Sequence, residues 1–191
     1  MKNRIIAALG NEKLEHWDNI THTQIHVIDL TQRTNSAQSI KIYDAQPEGI
    51  DTLLIENPNL DVSATFFKPQ CFKDEHGYEP DNCEGVFYLS NSTDKTWVLF
   101  LEIKDCKAKN ISDYFEKTKK QIIKIVRIFR DKKIIAENKR VYANISFPRR
   151  NKTDFFSQLI MDGEPKSFID NHKIFIRGTN KLKIKNNTTI F

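Results

Sequence analysis

The chain of 191 residues carries 30 Lys and Arg against 25 Asp and Glu, a formal net charge of +5 at pH 7, with 39% hydrophobic residues. That length fits one domain with a sizeable core, and the mild basic excess permits a polyanionic partner without requiring one. No stretch approaches a transmembrane span, and the apolar run after Met1-Lys2-Asn3-Arg4 is too short for a signal peptide, so a cytoplasmic protein without membrane contact is expected.

From the N-terminus, residues 4–17 show a helical spread of apolar side chains (Ile5, Ile6, Leu9, Leu14, Trp17) broken by Gly10-Asn11. Ile25-His26-Val27-Ile28-Asp29-Leu30 and Ser39-Ile40-Lys41-Ile42-Tyr43 read as short strands. An apolar segment at 50–55 and a Phe-rich stretch at 61–73 follow, the second read as a strand, before the loop-like residues 73–82. Cys71, Cys83 and Cys106 are an odd set without Cys-x-x-Cys spacing, and in a cytoplasmic chain they read as reduced thiols rather than as zinc ligands with His76. His16, His22 and His26 are spaced without a metal motif, and no P-loop, dinucleotide fingerprint or Gly-x-Ser-x-Gly is present.

The centre of the chain carries the clearest pattern. Two apolar runs, Glu84-Gly85-Val86-Phe87-Tyr88-Leu89 and Trp97-Val98-Leu99-Phe100-Leu101-Glu102-Ile103-Lys104, flank a polar turn and predict a β-hairpin. Side chains alternate along a strand, so Glu102 and Lys104 share one face. With the turn centred on Thr93, antiparallel pairing sets Glu84 opposite Glu102 on that face. A slip of one residue instead pairs Asp81 with Lys104 and turns Glu84 away. Glu84 is favoured because it begins the apolar run and Gly85 permits close backbone approach beside it. Two opposed carboxylates repel unless a cation lies between them, and such oxygen ligands suit Mg²⁺ or Mn²⁺. With Lys104 to position water or stabilise charge on a phosphate, the set contains the parts for phosphodiester hydrolysis. The structural alternative is a strand end emerging into solvent, where Glu102 and Lys104 simply pair.

After the hairpin, Tyr114, Phe115, Thr118, Ile122, Ile125, Val126 and Phe129 form a helical stripe, with Ser112, Asp113 and Glu116 suited to its start and Arg130-Asp131-Lys132-Lys133 to its end. Lys117, Lys119, Lys120, Lys124 and Arg127 occupy the other face, by default a solvated one. Residues 139–147 predict a strand parallel to the one before the helix, a βαβ unit closed by Pro148 and followed by Arg149, Arg150 and Lys152. Lys173-Ile174-Phe175-Ile176-Arg177, Gly178-Thr179-Asn180 and Lys181-Leu182-Lys183-Ile184-Lys185 read as a basic hairpin with Lys181, Lys183 and Lys185 on one face. No internal repeat or Pro-rich linker divides the chain. The reading is a single domain over 1–191, with an N-terminal helix and strands over 1–60, a core over 80–148 and a basic hairpin over 170–191.

An acid on the first strand of a hairpin, Glu102-Ile103-Lys104 on the second, then an amphipathic helix and a strand, resembles the PD-(D/E)xK nuclease superfamily. The resemblance covers residues 80–148. It implies an α/β fold with a mixed central sheet flanked by helices, the restriction-endonuclease-like core. It also implies a Mg²⁺- or Mn²⁺-dependent nuclease acting on nucleic acid, DNA first. Glu102 and either Glu84 or Asp81 would be the metal ligands, and Lys104 the catalytic lysine. Glu84 in the place of the first acid departs from the usual aspartate. Gln121 matches the glutamine some members carry behind the site, and Lys120, Gln121, Arg149 and Arg150 would face nucleic acid. The fold often offers an extra acid from an early helix, a place Glu12 or Glu15 could fill. Two alternatives stand beside this: a non-catalytic nucleic-acid-binding or protein-interaction module of the same fold, and an unrelated α/β protein. The sequence leaves open whether two copies pair as a homodimer to cut both strands.

Overall fold

The structure, a computed structural model, describes residues 1–30, 40–73, 77, 83–104, 111–148 and 171–191, and of 111–113 the backbone alone. Helix α1 (Lys2–Leu9) and a 3₁₀ turn (Asn11–Lys13) lead into β1 (Leu14–Ile20). The strands β2 (Gln24–Asp29), β3 (Ile40–Tyr43), β4 (Leu53–Glu56), β5 (Val62–Phe67), β6 (Gly85–Leu89) and β7 (Val98–Ile103) precede α2 (Ile111–Asp131). β8 (Val141–Ser146), β9 (Ile174–Gly178), β10 (Lys181–Asn186) and β11 (Thr189–Ile190) complete the chain.

These strands form two sheets, a six-stranded one in the order β1-β5-β6-β7-β8-β9 and a five-stranded one in the order β11-β10-β4-β2-β3. Both are mixed: β7, β8 and β9 run parallel beside the antiparallel β1-β5-β6-β7 portion, and β10 runs parallel to β4. The protein is thus a mixed α/β fold, with the helices and the second sheet on opposite faces of the larger sheet. Val98 and Phe100 of β7 join a core with Ile122, Ile125, Val126 and Phe129 of α2. Leu99, Leu101 and Ile103 join another with Ile25, Val27, Leu53, Ile55, Leu182 and Ile184 of the five-stranded sheet. A strand buried on both faces needs a continuous apolar run rather than alternation, which is the pattern of β7. Phe129 stands edge-on to Phe100 (5.1 Å) and to Phe67 (5.9 Å), so aromatic packing locks α2 to the sheet. No helix among the described residues is long and apolar enough to cross a membrane.

Three expectations change. Residues 14–17 belong to a strand, because Leu14, Glu15, His16 and Trp17 pair with Phe67, Phe66, Thr65 and Ala64, and sheet pairing overrides the local helical spread. Glu12 therefore lies in the 3₁₀ turn and Glu15 on β1, and neither is carried by an early helix. The C-terminal basic hairpin does not form: β9 pairs with β8 in one sheet and β10 with β4 and β11 in the other. Asn180 makes that crossing. Its Oδ1 accepts from Ser146 Oγ and the Phe147 amide, both at 2.8 Å, its Nδ2 donates to the Phe147 carbonyl at 2.9 Å, and its own carbonyl accepts from the Leu54 amide. Alternation on β10 holds, with Leu182 and Ile184 buried and Lys181, Lys183 and Lys185 exposed, although Glu56 pairs with Lys181 at 2.6 Å.

Candidate metal and phosphate site

The β6–β7 register decides which side chains meet. Gly85 pairs with Leu101, Val86 with Phe100, Phe87 with Leu99 and Tyr88 with Val98. One step further, Glu84 falls opposite Glu102, and its amide donates to Glu102 Oε2 at 3.0 Å. A residue far along the chain pins this register. Lys139, a residue 7% exposed, donates from its ammonium to the carbonyls of Thr93 (3.3 Å), Asp94 (2.8 Å) and Thr96 (2.7 Å), gathering the hairpin loop around one cation. Gly85 is required at the same place, since a Cβ there would lie 2.5 Å from Phe66 Cδ1 and 2.6 Å from the Thr65 carbonyl oxygen.

Alternation places Glu102 and Lys104 on the helix-side face, in line with Phe100. Lys104 Nζ lies 2.6 Å from Glu102 Oε1 and 3.6 Å from Glu84 Oε1, and the Lys104 amide donates to the Ser146 carbonyl of β8 at 2.9 Å. The Glu102 side chain is 0% exposed, Glu84 21% and Lys104 32%. The site therefore has a closed floor at Glu102 and an opening past Glu84 and Lys104.

Burial dominates its electrostatics. It pushes the Glu84 carboxyl up to about 8, with the Glu102 carboxylate adding to the rise and Lys104 opposing it. Burial likewise raises Glu102, against the pull of Lys104 and the Glu84 amide. Burial alone would lower Lys104, but the charges of Glu102 and Glu84 outweigh it and hold the ammonium above the usual lysine range. Burial also raises the neighbouring Cys83 thiol, the two glutamates adding to it, so this cysteine is an inert core group. Asp29, at the end of β2 in the other sheet, adds negative field at Glu84, Glu102 and Lys104. The sequence offered no signal for it, because it closes an ordinary apolar strand and only the packing of the two sheets brings it near.

The structure thus brings Glu84, Glu102 and Lys104 together. Lys120 is exposed on α2, and Gln121 is half-buried with its Oε1 shielded and unpartnered; among the described residues neither is bonded to the trio. Asp81, Arg149 and Arg150 lie outside the described residues. Among the described residues no group of three or more His, Cys, Asp or Glu is assembled for a metal ion. No protein-family model matches the chain, and neither does any curated protein or solved structure. What the coordinates define is a class: a mixed α/β domain with two opposed glutamates bridged by a lysine at the end of a central strand.

Proposed function

We propose that this protein is a cytoplasmic, metal-dependent nuclease with a restriction-endonuclease-like core, hydrolysing phosphodiester bonds in DNA. The observation that carries the reading is the ammonium of Lys104 between two opposed carboxylates, half-open to solvent, at the end of β7. The order hairpin, helix, parallel strand around it supports the same reading.

The donor chemistry suits a hard cation: two opposed carboxyl groups offering oxygen ligands, one of them reached from solvent. Glu84 and Glu102 would hold Mg²⁺ or Mn²⁺, which when bound lowers the pKa of a water and polarises a phosphoryl oxygen. Lys104 keeps its proton well above neutral pH, so it acts as a charged donor and not as a base. In that role it orients a water or neutralises charge growing on a phosphate oxygen. Glu102, locked by the Glu84 amide and by Lys104, fixes the lysine in place.

A second reading, a non-catalytic nucleic-acid-binding or protein-interaction module of the same fold, is favoured by the protein's own ammonium already bridging the acids at 2.6 and 3.6 Å. The two separate on cleavage of supercoiled plasmid and single-stranded DNA with Mg²⁺ or Mn²⁺, with EDTA and Lys104→Met as controls. Metal-dependent nicking lost in the variant supports the nuclease. An inert, folded wild type that binds no Mn²⁺ by calorimetry removes it in favour of the module.

A further inference from the structure

A second charged feature sits at the same end of the larger sheet. An open cleft of about 410 Å³ is lined by Glu12, Lys13, Lys68, Pro69, Gln70 and Lys73. Among the described residues none of the three lysines is paired with a carboxylate; the Lys68 ammonium donates to the Glu12 carbonyl at 3.1 Å. Among the described residues lining the cleft the one acid is Glu12, whose carboxylate is folded back against Gly10, where a Cβ would collide with it.

The cleft is held by backbone. The Lys68 amide donates to the Lys13 carbonyl at 3.0 Å, and two successive turns, Cys71 amide to Lys68 carbonyl and Lys73 amide to Gln70 carbonyl, close the loop. Gln70 takes φ +66°, and the buried Cys71 and Phe72 anchor the far side. The lysines are thus presented by an ordered turn, which lowers the ordering cost of gripping an anion.

A row of hydrogen bonds links cleft and site across one end of five strands. It runs from the Lys104 amide to the Ser146 carbonyl, from the Glu84 amide to Glu102, from the Phe67 amide to the Glu84 carbonyl, and from the Lys68 amide to the Lys13 carbonyl. At about 4.8 Å per strand, β5 and β1 stand roughly 10 and 15 Å from β7. A nucleic-acid strand carries one charge per about 3.4 Å of axis, so that reach spans on the order of three to four phosphates.

We infer that Lys13, Lys68 and Lys73 form a phosphate-binding subsite for the DNA backbone a few nucleotides from the bond at Lys104. This rests on the nuclease reading for its substrate, but binding tests it without cleavage. A dye-labelled 20-nucleotide DNA, single-stranded and as duplex, is titrated by fluorescence anisotropy in EDTA over a range of salt. The comparison is wild type, Lys13→Gln/Lys73→Gln, and the control Lys181→Gln/Lys185→Gln, which removes equal charge from the other sheet.

The cleft variant is expected to bind about tenfold or more weakly. Its log K against log[salt] slope for single strands should flatten by about 1.4, two contacts at about 0.7 each. The control should stay within about twofold. Equal losses in both variants, wild-type affinity in the cleft variant, or no binding by wild type overturns the subsite. Cleavage by wild type with an unaffected cleft variant sinks the subsite and leaves the nuclease standing. Selective loss of binding in a protein that never cuts DNA does the reverse.

Discussion

Replacing Glu84 with Gln should change how stability depends on pH, in a direction the site fixes. In the folded chain the Glu84 carboxyl is pushed from 4.5 up to about 8, by burial first and then by Glu102. The folded state therefore holds a proton that the unfolded state releases between those values. Stability from this group is full below about pH 4.5 and is lost as pH rises through about 8. A gap of roughly 3.5 units has a ceiling near 5 kcal/mol at about 1.36 kcal/mol per unit. A side chain 21% exposed, sharing its proton with Glu102, brings the expectation to about 2–3 kcal/mol. Gln keeps the shape and does not ionise, which leaves Glu102 alone with Lys104. Urea unfolding from pH 5 to pH 9 should find the variant close to wild type at pH 5 and about 2 kcal/mol more stable at pH 9. Parallel stability curves would show that Glu84 is ionised in the folded protein and that burial does not govern this site.

Mn²⁺ binding should tighten as pH rises from 6 toward 8, because the same proton competes for the carboxylates; calorimetry at each pH would expose a flat profile as an error in the assignment of Glu84 and Glu102. Gly85→Ala should cost about 2–3 kcal/mol, since the new Cβ meets the Thr65 carbonyl of β5 and the Phe66 ring, and a urea midpoint unchanged from wild type would contradict that close approach. Lys139→Met should cost about 2–4 kcal/mol by removing the shared donor of the Asp94 and Thr96 carbonyls and one of the donors to Thr93, and should speed amide exchange across 93–96; protected amides there would mean the loop holds its own register. Asn180→Ala should cost about 2–4 kcal/mol, measured by thermal unfolding, because three hydrogen bonds to Ser146 and Phe147 are lost inside the protein.

The hairpin, the helix and the strand after it were legible because each depends on local pattern. Phe115, Ile122, Ile125, Val126 and Phe129 repeat at helical spacing, and the runs around residues 85–89 and 98–103 are too apolar for anything but buried strands. Pairing partners far apart in sequence were not legible. Residues 173–177 and 181–185 each look like strands, and a three-residue connection between them suggests a hairpin. Asn180 instead finds Ser146 and Phe147, and the chain changes sheets there. Leu14 to Trp17 was equally misleading, since its apolar spacing suits a helix while β5 offers it a ladder.

Glu102 and Lys104 share a face by the period of a strand, and no tertiary contact is needed to know it. Their chemistry depends on more. The Lys139 ammonium at the hairpin loop and the missing Cβ of Gly85 set Glu84 against Glu102 rather than a residue away. The second sheet brings the charge of Asp29 near, and burial raises both glutamates. Side-chain direction follows from the strand itself, whereas proton affinity is a sum over everything packed nearby. The sequence therefore determined that Glu102 and Lys104 face together, and only the tertiary structure decided that Glu84 joins them and how the three hold a proton.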